Sequence, residues 1–128
     1  MRGAEGSFVQ NGTNNTVNAN LGGNVSNAGV VTSQTGDHNL INAVQNVAYL
    51  DAGFADTITQ TGSGNIANAD QELTHNSRYD ITQSGLSNAA YLTQSGTNNL
   101  AQLTQQGTAN VGTINQSGTG SIIKVTQK

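Results

Sequence analysis

Cysteine, proline and tryptophan are absent from this 128-residue chain. Without cysteine there is no disulfide framework and no thiolate metal site. Charge is scarce: 9% of residues are charged and the net charge is −3. The four basic residues, Arg2, Arg78, Lys124 and Lys128, are scattered. Nucleic-acid binding is excluded on that ground, because phosphate contacts need clustered lysine and arginine. No apolar run approaches the ~20 residues of a membrane helix. Met1-Arg2-Gly3 lacks the apolar stretch of a secretory leader, as expected of a chain from which one has been removed. Only 34% of residues are hydrophobic, too few for an ordinary core. Ordinary disorder is also disfavoured, since it goes with high net charge. A neutral chain rich in Asn, Gln, Gly, Ser and Thr must satisfy itself by backbone pairing and amide ladders.

What the chain does have is a period. Gln83, Gln94, Gln105, Gln116 and Gln127 are each 11 residues apart, and the same step separates Gln34 from Gln45 and Gln60 from Gln71. A fixed short repeat is the mark of a stacked architecture. The consensus is Gln-x-Gly-x-x-Asn-x-Ala-x-(Leu/Ile)-Thr, and Gln94 to Thr104 fits it at every fixed position. The glycines are Gly36, Gly62, Gly85, Gly96, Gly107 and Gly118, and the asparagines Asn39, Asn65, Asn88, Asn99 and Asn110.

Side chains alternate across a strand with period two. The parity of the inward set flips between each Gly and the following Asn, so each Gly-x-x-Asn is a turn that keeps the same residues inside. The expected fold is all-β: a β-solenoid of stacked 22-residue coils, two 11-residue strand-turn units each, with two facing parallel sheets. Residues 22 apart should lie on top of one another, so that Gln83, Gln105 and Gln127 form one inward amide ladder and Gln94 and Gln116 another. The Asn set is a second inward ladder, and Leu92, Leu103, Ile114 and Val125 are the dry filling. Eleven strands are expected. Those near Gln10, Gln34, Gln60, Gln83, Gln105 and Gln127 belong to one sheet, and those near Leu21, Gln45, Gln71, Gln94 and Gln116 to the other.

Residues 1–6 read as a flexible N-terminal segment and 7–128 as the repeat domain. The surplus between Gln45 and Gln60 is expected to loop out around Asp51 to Asp56.

A catalytic site, a cofactor site and a metal site all fail on inventory. His38 and His75 lie in different turn segments, and Asp37, Asp51, Asp56 and Asp70 read as solvated turn or loop residues. Two binding classes compete with a structural role. Outward pairs such as Thr59 and Thr61, Thr82 and Ser84, and Thr93 and Ser95 suggest an ice-binding solenoid. Gln106 and Asn115 interrupt those rows, however, and both sheets carry them. A sugar-binding module would need an outward aromatic cluster, and Tyr91 stands alone. The segment Ile122 to Gln127 reads as a strand as good as any internal one, open to further pairing.

The run from Ser77 to Gln94 matches Ser-x5-Gln-x-Gly-x-x-Asn-x-Ala-x3-Gln and resembles the repeat of the curlins, the subunits of bacterial curli fibres. The basic C-terminal stretch Ile123 to Lys128 looks like the end of the nucleating curlin, whereas Ser77 to Gln94 looks like the major subunit. The resemblance is close over residues 30–128 and weak over 8–29. It implies a non-enzymatic, secreted functional amyloid that passes an outer-membrane pore and polymerises at the cell surface into biofilm matrix. Its partners would be copies of itself, other curlin subunits and the secretion pore. It also implies that charged turn residues, here Asp37 and Asp70, act as gatekeepers that slow assembly.

Overall fold

Each repeat alternates an inward polar or apolar residue with an outward one, and most carry a glycine where the chain must turn, although the units from Gln45 and Gln71 do not. Strands joined by sharp corners follow. The structure, a computed structural model, describes residues 5–22, 29–46 and 55–128. It contains eleven strands: β1 (Glu5–Asn11), β2 (Thr16–Gly22), β3 (Gly29–Thr35), β4 (Leu40–Asn46), β5 (Asp56–Ser63), β6 (Ile66–His75), β7 (Arg78–Leu86), β8 (Ala89–Thr97), β9 (Leu100–Thr108), β10 (Val111–Gln116) and β11 (Ile122–Gln127). No helix occurs among the described residues. Odd-numbered strands form a six-stranded sheet in the order β1-β3-β5-β7-β9-β11, and even-numbered strands a five-stranded sheet in the order β10-β8-β6-β4-β2. Every pairing is parallel. The chain is therefore a β-solenoid with two facing sheets.

The register is set by the glutamines. Gln10, Gln34, Gln60, Gln83, Gln105 and Gln127 are in line on the first sheet. Leu21, Gln45, Gln71, Gln94 and Gln116 are in line on the second. The coil length is not uniform. Successive ladder partners on the first sheet are 24, 26, 23, 22 and 22 residues apart. A strict 22-residue coil thus holds only over the last two steps, because register is kept by the inward residues while corners absorb insertions.

One such insertion is visible in β6, where the pairing with β8 shifts between Glu72 and Thr74 and Thr74 is brought opposite Gly96. Asp51 to Phe54 of the expected loop lie outside the described residues, as do residues 1–4 of the N-terminal segment. Glu5 and Gly6, grouped with that segment in sequence, pair with Gly29 and Val30 in β1.

The interior is thin. Ile41, Ile58, Ile81, Leu92, Leu103 and Ile114 are buried beside Ala43, Ala67, Ala69, Ala90 and Ala101, whose small side chains let the sheets approach. Val125, on a terminal strand, is only partly buried. Thr82 and Thr93 point to solvent while Gln83, Gln94 and Gln105 are fully buried.

Candidate functional site: amide ladders and strand edges

A lone buried glutamine would be costly. On the first sheet each buried ladder amide donates twice. Along the first sheet each Nε2 donates to the next Oε1: Gln10 to Gln34, Gln34 to Gln60, Gln60 to Gln83, Gln83 to Gln105 and Gln105 to Gln127, at 2.7–2.9 Å. The second Nε2 proton crosses to a backbone carbonyl of the opposite sheet, as from Gln60 to Leu40, Gln83 to Ile66 and Gln105 to Ala89. The glutamines therefore stitch the layers together along the stack and the sheets together across it. Glutamine suits both tasks because its side chain is one methylene longer than that of asparagine.

The corner asparagines do the same work at the turns. Asn15, Asn39, Asn65 and Asn88 each donate to the carbonyl of the next layer's glycine, Gly36, Gly62, Gly85 and Gly107, at 2.7–3.1 Å. Each Oδ1 accepts from the next corner's backbone N–H. On the other edge Ser77 replaces an asparagine. Its Oγ donates to Gly96 O and accepts from Asn99 N, both at 3.2 Å, and Asn99 carries the pattern on to Gly118.

The second glutamine ladder is interrupted. Gln71 donates to Gln94 and Gln94 to Gln116, but Gln45 turns its Nε2 to a carboxylate oxygen of Asp56 instead. Gln45 Oε1 and Gln71 Oε1 are left buried without a partner. Asp56 is thus no loop residue: it is fully buried in β5, and its other oxygen accepts from Tyr79 N at 2.8 Å. Burial raises its pKa to about 7, against the lowering effects of the Tyr79 and Gln45 hydrogen bonds. The Tyr79 hydroxyl is buried without a partner too, and burial, aided by Asp56, raises its pKa. The parity rule could have placed Asp56, which precedes Gln60 by the same four positions that separate Ala90 from Gln94.

Of the two suggested gatekeepers, Asp37 is at an exposed corner. Its Oδ1 accepts from both the hydroxyl and the N–H of Thr13, which lower its pKa. Asp70 is not a turn residue. It lies within β6, in line with Val44 and Thr93, because inward Gln71 fixes its neighbour to the outer face. An outward amide ladder, Asn18 to Asn42 to Asn68, runs beside that column and had no counterpart in the repeat consensus.

The interior ladder is expected to dominate stability. Gln83→Ala strands the Gln60 proton, the Gln105 oxygen and the Ile66 carbonyl, and should cost about 3 kcal/mol. Thr82→Ala should stay within about 0.5 kcal/mol. Denaturant midpoints of the two variants decide this, and equal midpoints would contradict the ladder's role.

Parallel coils stacked in register on internal amide ladders define the class of repeat solenoids, in which each layer contacts only its neighbours. The curlin associated repeat matches residues 74–107 and 96–128, the span of β7 to β11. The two matches over that span support membership of the curlin family. No curated relative matches it.

Proposed function

We propose that this protein is a structural subunit of an extracellular, curli-like amyloid fibre, secreted and self-assembling by end-to-end stacking of solenoids in a biofilm matrix with an adhesive role. The observation that carries this reading is the state of the two ends. Among the described residues, β1 and β2 at one end and β10 and β11 at the other are in-register parallel strands with an unpaired edge. Such edges are templates for another chain. The most exposed large apolar residues are there as well: Val9, Val111 and Ile122 are 57%, 62% and 66% exposed. Copies of itself are the principal partner; other curlin subunits and a secretion pore follow from the family. In this reading Asp37 and Asp70 act as gatekeepers whose charge slows assembly.

Thioflavin fluorescence against time, with and without preformed seed, is the test. Seeded growth without a lag is expected. A chain that stays monomeric at high concentration for days would refute the proposal.

An ice-binding role has one observation in its favour. The column Ser33, Thr59, Thr82, Thr104 and Thr126 is a hydroxyl row from β3 to β11 on the six-stranded sheet, with Val9 in line with it on β1. On the other sheet Asp70 and Asn115 flank Thr93. Thermal hysteresis from a stable monomer would favour this role over the fibre.

A further inference from the structure

Resting on the stacking reading, we propose that a second copy of the chain docks its β1 edge onto the β10 edge of the first, so that successive subunits are related by a half-turn about the solenoid axis. The two sheets have six and five strands, which leaves β10 one layer short of β11. A copy added by simple translation would put Gln10 on Gln127 and leave a layer missing beside β10. A copy turned by 180° puts β1 on β10 and β2 on β11. Strand direction is kept, because the turn exchanges two sheets that run oppositely.

The corner following β10 has the form of an interior corner waiting for its neighbour. At Gly12, Gly36, Gly62, Gly85 and Gly96 an added Cβ would lie 2.0–2.1 Å from the carbonyl oxygen of the glycine in the next layer. Gly118 has the same backbone, with φ of 105°, but nothing lies within 4 Å. The half-turn brings Gly12 of the incoming copy onto Gly118, since Gln10 then falls on Gln116.

The hydrogen bonds fit the same register. Within its own chain Ser121 is held through its backbone, its N–H donating to Asn99 Oδ1 and its carbonyl accepting from Gln116. Its hydroxyl can therefore treat Gly12 and Asn15 of the incoming copy as Ser77 treats Gly96 and Asn99. Gln116 would transfer one Nε2 proton from Ser121 O to Gln10 Oε1 of the incoming copy, the step that Gln94 makes to Gln116. In the ladder Gln10 donates onward to Gln34, so the polarity matches.

The test combines fibre imaging with growth from wild-type seeds. Helical reconstruction should give a rotation near 180° per subunit and a rise of about 5.5 layers, ~26 Å at the usual strand spacing. Gly118→Ala should fold, with an unchanged far-ultraviolet spectrum, yet cap fibre ends, so that one part in about ten cuts wild-type growth several-fold. Gly120→Ala is the control. Gly120 has φ of 70° and open space, and Ala109 already adopts φ of 58° at the equivalent corner position, so growth should be unchanged. Ser121→Ala, which removes no bond within the chain, should slow growth several-fold, and Ser121→Asn should restore it. A rotation near zero, or wild-type growth of both Gly118→Ala and Ser121→Ala, overturns the half-turn and leaves the fibre reading standing. A wild-type chain that never assembles overturns both.

Discussion

Gly85→Ala is expected to destabilise the solenoid by about 5 kcal/mol or more, in the range reserved for outright structural conflict. Two costs add. Gly85 has φ of 119°, and an added Cβ would lie 2.0 Å from Gly107 O and 2.9 Å from its carbonyl carbon. Both atoms are backbone, held by the ladder pairing of β7 with β9 and by the Asn88 bond to Gly107 O. Relief therefore requires the layers to part, which strips the Gln83 and Asn88 ladders at the same time. Gly107→Ala separates the two costs. Gly107 has a similar φ of 106°, but the nearest atom to its added Cβ is 3.6 Å away. That variant should lose only the conformational term, about 1–3 kcal/mol. Denaturant midpoints and far-ultraviolet spectra of the two variants measure the difference. Equal losses would show that stacking contributes nothing to the glycine requirement.

Asp56 should make the protein more stable in acid than at neutral pH. Its folded pKa is raised from 3.8 to about 7 by burial. The folded state therefore holds a proton that the unfolded state has released between those values. This contribution is fully present below pH ~4 and is lost as pH rises through ~7. Three pK units correspond to about 4 kcal/mol. Arg78 and Asp80 on β7 act on Asp56 with opposite sign; they pair with each other at 3.4 Å, so little net field remains. Asp56→Asn should remove this pH dependence. It should stabilise the chain by several kcal/mol at pH 8 and change little near pH 4. An amide at this position can also donate to Gln45 Oε1, which frees Gln45 Nε2 for Gln71 Oε1 and closes the broken ladder. Unfolding curves at the two pH values, wild type against variant, decide it. Parallel pH profiles would mean that Asp56 is hydrated and of no consequence.

The 11-residue glutamine step and the parity flip at each Gly-x-x-Asn determine the strands, the two sheets, their order and the inward faces. These are local properties: period-two alternation and a glycine corner fix which side faces in, wherever the layers end up. The curlin resemblance, read over residues 30–128, rests on the same residues, and the matched repeats cover residues 74–128 of that span. Tertiary structure alone decided three other things. The coil length varies from 22 to 26 residues, because register follows the inward side chains and corners tolerate insertion. The second ladder breaks at Gln45, because a carboxylate from the facing sheet outcompetes a neutral amide for its protons; that rivalry exists only once the sheets meet. The second proton of each ladder glutamine finds a carbonyl across the coil, a bond between residues such as Gln105 and Ala89 that no repeat pattern pairs.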